Sequence, residues 1–288
     1  MEMEVFSDRL YEVVDPDAEL ETIGEGFEKT EGPVWIKDEA ALLFTDFGAE
    51  KIHRWHPKDG LSVYREESRR AVGMALDPDG RLVACEGVPR RVSRTEIDGE
   101  VVTVASHYQG RRLNSPNDVA VRSDGLICFT DPRSKYLTDE QELDYNGVFS
   151  VDASGEVRLL MDDFVWPNGL CFSPDERQLY VNDSRQQLIK VYEMAADGGV
   201  GEGTVYAELD PAFGKGSPDG MKTDSEGRVY VTGPGGVWIL DAEGERLGIL
   251  RTPIGVLNLG FGGEGGDDLF LTAQTTLFRV KTTIRAAV

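Results

Sequence analysis

The chain has 288 residues, with 52 acidic and 30 basic side chains giving a formal net charge of −22. Phosphate binding needs a basic face and none is visible, so a nucleic-acid partner is excluded; no run of about 20 apolar residues exists to span a membrane as a helix. Cys85, Cys128 and Cys171 sit singly inside apolar runs, which predicts buried reduced thiols rather than disulfides or zinc ligands. The bulk acidity reads as solubility, suited to a salty cytoplasm. Met1-Glu2-Met3-Glu4 is acidic where a signal peptide is basic and then apolar, so a cytoplasmic location is expected. His53, His56 and His107 show no ligating or triad spacing.

In chain order, Glu19–Ile23 reads as an isolated strand, and an internal repeat follows it. The most regular part of each unit is an apolar run: ALLFTD ending at Asp46, RLVACE at Glu86, LICFTD at Asp131, QLYVND at Asp183, RVYVTG at Gly233 and DLFLTA at Ala273. Turn residues such as Asp77-Pro78-Asp79-Gly80 precede these runs, and before each turn lies another strand, so each unit starts with a hairpin. Third strands follow (KIHRWH, RRVSRTEI, GVFSVDA, LIKVYEM, GVWILDA, TLFRVKT), and fourth strands complete five units. The sixth stops after three. Six such units predict an all-β chain, a single six-bladed β-propeller over residues 1–288 whose ring closes when the N-terminal strand completes the last blade. The blades begin near 31, 72, 117, 168, 219 and 258.

First strands line the central channel of a propeller, so their opening residues form a ring: Glu31, Val72, Asn117, Asn168, Asp219 and Asn258. Five of these six carry a side-chain oxygen. Glu31, Asn117, Asn168 and Asp219 together are a hard donor set without thiolate or imidazole, which calls for one divalent cation. Calcium is the first choice, with magnesium, manganese, zinc and iron(II) as alternatives. Up-and-down strand order returns the second strand of each blade to the same face, so Asp46, Glu86, Asp131 and Asp183 are expected around the mouth. The insertion from Pro132 to Asn146 and the loop from His107 to Ser115, with Arg111 and Arg112, fall on that face, and the insertion is a candidate lid.

Glu31-Gly32-Pro33 with Trp35, Asn117-Asp118 after Ser-Pro, Phe129-Thr130-Asp131-Pro132, Pro167-Asn168-Gly169 and Pro218-Asp219-Gly220 occur in this order. In these motifs the chain closely resembles the gluconolactonase / senescence marker protein 30 / luciferin-regenerating enzyme family, from about Glu21 to Val280. The resemblance implies a six-bladed propeller holding a divalent cation, with hydrolysis of a small-molecule lactone as the commonest activity. It implies Glu31, Asn168 and Asp219 as metal ligands and Asn117 as a further ligand or substrate contact. Asp131 matches a position tied to substrate binding or catalysis, and Glu86 lies where substrates are chosen. Two departures stand there: Glu86-Gly87-Val88-Pro89 lacks a histidine that related bacterial sequences often carry, and Ser115 stands where some animal members have arginine. The expected mechanism polarises the lactone carbonyl on the cation, with Asp219 as general base and Asp131 second. Phosphotriester hydrolysis on the same site and a non-catalytic ligand-binding propeller are the alternatives, and a monomer or weak homo-oligomer is expected.

Overall fold

Six antiparallel sheets follow one another along the chain in the computed structural model, which describes residues 1–134 and 140–285. The first blade is Thr30–Ile36, Ala41–Asp46, Lys51–His56 and Gly60–Arg65, paired in that order. Each later blade repeats the plan, starting at Ala71–Leu76, Val119–Val121, Pro167–Phe172, Met221–Thr223 and Asn258–Gly262. Strand Leu20–Glu25 pairs antiparallel with Thr276–Lys281 and supplies the sixth blade with its fourth strand. The expected ring closure is therefore the observed one, and it covers what would otherwise be an open sheet edge.

The second strands read as unbroken apolar runs because they are buried on both faces. Leu42 and Phe44 of blade one pack with Phe270 and Leu277 of blade six, whereas the intervening Leu43 packs with Met74 and Leu82 of blade two. The same alternation recurs: Val83 and Cys85 face blade three, and Tyr230 faces blade six while Val229 and Val231 face blade four. All three cysteines are free and buried, as their setting in the sequence predicts.

One strand escapes the repeat. Met3–Val5 adds to Arg246–Arg251 as a fifth strand on blade five, ahead of a short 3-10 helix at Asp8–Glu12. Leu10, Val13 and Val14 from this arm are fully buried in the core between blades five and six. Arg9 of the same turn reaches Asp241 at 2.6 Å, but its side chain is half exposed. Apolar burial therefore outweighs the ion pair in holding the arm down. Leu10→Ala is expected to cost about 2–5 kcal/mol of unfolding free energy, and Arg9→Ala about 1 kcal/mol or less. Denaturant unfolding of both variants checks this, and equal losses would contradict it.

Candidate metal centre

The ring is built by contacts from the second strand of one blade to the ring residue of the next. In blade one Thr45 Oγ1 donates to Val72 O of blade two at 3.0 Å, and Thr130 of blade three does the same to Asn168 O at 2.7 Å. Asn182 Nδ2 donates to Asp219 O at 2.6 Å and Thr232 Oγ1 to Leu257 O at 3.3 Å. In four blades the approach leaves room only for a glycine after the ring residue. A Cβ on Gly169 would sit 2.0 Å from Asp219 O, a backbone contact that no rotamer change could relieve.

These contacts correct the ring by one residue in the sixth blade. Gly73 N donates to Asn117 O, and Gly220 N donates in the same way to Leu257 O. Leu257 is thus the equivalent of Asn117, and Asn258 is the equivalent of Asp118. The side chains agree: each accepts from the amide of its successor, Val119 N to Asp118 Oδ1 at 2.9 Å and Leu259 N to Asn258 Oδ1 at 2.8 Å. The ring proper is Glu31, Val72, Asn117, Asn168, Asp219 and Leu257. Asp118 and Asn258 occupy positions that are glycine in the other four blades, and the alignment of single residues passed over this role for both.

The polar ring positions are only partly satisfied. Glu31 is 4% exposed and Asn168 6% exposed, yet Glu31 Oε2 and Asn168 Oδ1 have no hydrogen-bond partner among the described residues. Asn168 Nδ2 donates to Ser184 Oγ at 3.0 Å, and Ser184 in turn donates to Pro218 O at 2.5 Å, which leaves the amide oxygen of Asn168 as the free end. Ser184 follows the strand-end aspartate of blade four, and nothing in its sequence setting marked it. Asp219 borders the same channel; burial and the neighbouring Glu31 carboxylate hold its carboxyl well above the usual range, with Lys29 opposing. Glu31 is pushed up to about 7, first by burial and then by Asp118, against Lys29 and the Asn258 amide. Asp118 Oδ2 is also buried without a partner, and burial raises its carboxyl. Asn117 occupies its ring position with its backbone N held by Thr130 O at 2.9 Å.

Buried acceptors without donors are costly and rare, and a bound cation is one partner that would satisfy them. Among the described residues no three His, Cys, Asp or Glu side chains converge closely enough to hold a metal by themselves. The donors that remain are carboxylates plus amide oxygens, a set that fits a hard divalent cation.

The strand-end acids do not form an open mouth. Asp46, Glu86, Asp131 and Asp183 are each at most 2% exposed. Asp46 accepts from Glu28 N and Lys29 N at 3.0 and 2.8 Å, and Asp183 accepts from Val165 N at 2.7 Å and Arg185 N at 2.8 Å. Glu86, expected at the substrate, is paired with Arg91 Nε at 2.8 Å and Ser93 Oγ at 2.7 Å. Asp131, expected as a catalytic or substrate-binding carboxylate, accepts from Asn114 N and Ser115 N, both at 2.7 Å. Burial pushes its carboxyl up to about 7 against those two bonds and Arg90. A carboxylate at a strand end can fold its oxygens onto nearby backbone amides, and Asp46, Asp131 and Asp183 do so, whereas Glu86 is held by side chains.

Arg111 and Arg112 form a small hairpin with His107–Tyr108, tied to Glu142 by Arg112 N at 2.7 Å and Arg111 Nη1 at 3.3 Å. Part of the candidate lid, 135–139, lies outside the described residues.

The pKa of Glu31 carries a sign for stability in metal-free protein. Its folded value of about 7 lies above its ordinary 4.5, so between these values the folded state holds a proton that the unfolded chain has released. The contribution is present below pH 4.5 and is lost as pH rises through 7. Wild type should therefore fall relative to Glu31→Gln over that window in chelator, as read by denaturant midpoints; a pH-independent difference would contradict it.

A family model described as the SMP-30/Gluconolactonase/LRE-like region matches residues 29–275. A gluconolactonase of Zymomonas mobilis is 32% identical over 96% of this chain and 85% of its own length. A pentonolactonase of Haloferax volcanii is 28% identical over 84% of this chain and 80% of its own. A solved structure described as a gluconolactonase from Xanthomonas campestris superposes with a TM-score of 0.90 at 29% identity, covering 97% of this chain and 94% of the other. A regucalcin from Agrobacterium tumefaciens, described as calcium-binding, shares the fold with a TM-score of 0.79 at 19% identity, over 93% of this chain and 95% of the other. With its channel ring, its repeat and its match over most of its length, the chain belongs to the SMP-30/gluconolactonase/LRE-like family.

Proposed function

We propose that the protein is a divalent-cation-dependent lactonase that opens sugar lactones to aldonates at the channel ring. The observation that carries this reading is the pair of buried, unpartnered oxygens, Glu31 Oε2 and Asn168 Oδ1, beside Asp219 in a chain whose relatives include a gluconolactonase and a pentonolactonase. Glu31 and Asp219 bring two negative charges, and Asn168 and Asn117 add neutral amide oxygens. This balance favours calcium and leaves room for substrate. When bound, such a cation supplies a Lewis acid for the lactone carbonyl.

The rest of the chemistry falls to side chains. Asp219 accepts the proton of the attacking water on a carboxylate oxygen. Its backbone is fixed by the Asn182 donor at 2.6 Å, so the carboxylate is presented without reorganisation. Lys29 offsets part of the charge of both Glu31 and Asp219. Asn117 serves in this reading as a contact to the substrate as well as to the ion.

Chelator-treated protein should lose hydrolysis of an aldonolactone, followed by acid release, and added calcium should restore it. Asp219→Asn should lower kcat by about 100-fold or more with calcium saturating. Undiminished turnover after chelation would remove the cation from the reaction, and near-wild-type turnover by the variant would remove Asp219 as base. A phosphotriester run beside the lactone separates the two hydrolase chemistries by which one depends on calcium.

A further inference from the structure

We propose that Asp131 is a positioning residue, a buried clamp that sets the Asn117 side chain at the ring by gripping the two backbone amides just before it. The proposal rests on the reading of Asn117 as part of the site. Three observations carry it. The first is the grip itself: Asp131 Oδ2 accepts from Asn114 N and Oδ1 from Ser115 N, both at 2.7 Å, with the carboxylate fully buried. Two charge-assisted bonds to consecutive amides fix both position and orientation of that backbone.

The second is the short connection to the ring. Only Pro116 separates Ser115 from Asn117, and proline holds its own φ near about −65° while restricting the residue before it. A shift at Ser115 is therefore passed to Asn117 with little slack. The third is that the neighbouring bonds converge on the same stretch. Arg90, itself buried, donates from Nε to Leu113 O at 2.6 Å, and Asn114 Nδ2 returns to Asp131 O at 3.1 Å and to Tyr145 O at 2.8 Å. One residue away along the same strand, Thr130 O accepts from Asn117 N at 2.9 Å and Thr130 Oγ1 donates to Asn168 O at 2.7 Å. The end of strand Ile127–Asp131 thus templates the backbone of both amide-bearing ring residues.

Both carboxylate oxygens of Asp131 are engaged by backbone amides and the side chain is fully buried, so it works through Asn117. Asparagine at 131 keeps one acceptor but turns an NH2 toward a backbone N–H, which releases one of the two amides. Asp131→Asn should weaken calcium binding, measured by calorimetric titration, and lower kcat/KM, each by about 10-fold or more. In an Asn117→Ala background the same change should do nothing further to either quantity. Equal losses in both backgrounds would show that Asp131 acts on its own and overturn the clamp while leaving the site reading intact. If Asn117→Ala alone retains full calcium affinity and kcat/KM, the site reading of Asn117 fails, and the clamp with it. Amide exchange in the wild-type protein provides a measurement independent of variant folding: the N–H groups of Asn114 and Ser115 should exchange as slowly as strand amides, and loop-like exchange would overturn the proposal.

Discussion

The closure of the propeller at its axis depends on one kind of contact: a side-chain donor on a second strand reaches the ring carbonyl of the next blade. Thr45, Thr130, Asn182 and Thr232 make it at four of the junctions. In blade four it draws the inner strands so near that a Cβ on Gly169 would collide with the neighbouring backbone. The backbone carbonyls of Val72, Asn168, Asp219 and Leu257 are thereby held by the preceding blade.

That geometry concentrates carboxylates where water is scarce. Glu31 raises the proton affinity of Asp219, and Asp118, seated where four blades have glycine, adds to both. Folding alone gives these groups little in return, since oxygens of Glu31, Asp118 and Asn168 remain without partners. A binding site that costs stability in the empty protein is the familiar trade between function and stability. A divalent cation would satisfy the oxygens and neutralise the two ring carboxylates together, which is the physical reason to place one there.

Much of this was legible in the sequence, because periodicity survives wherever burial is symmetric. The second strands stood out since both faces are buried, and their repetition gave the blade count, the ring residues of blades one to five and the closing role of the strand at Leu20–Glu25. Met3–Val5 and Leu10 were not legible, for the arm lies outside the repeat and its apolar residues gain meaning only against blades five and six. The slip from Leu257 to Asn258 arose because an oxygen-bearing residue sits one place along, and only backbone pairing distinguishes the two. The surroundings of Asp131 and Glu86 were not legible for a related reason. An acid at a strand end can face solvent or turn onto neighbouring groups, and the choice belongs to the amides of Asn114 and Ser115 for Asp131 and to the side chains of Arg91 and Ser93 for Glu86.

The central claim is that one cation sits on the axis among ring oxygens. Its most direct measurement is an anomalous difference map from crystals of the protein soaked in manganese, as a scattering stand-in for calcium. A single strong peak is expected within bonding distance of Glu31, Asn168 and Asp219 oxygens, with Asn117 facing it. A channel without a peak at saturating metal, or a peak held by other residues, would contradict it.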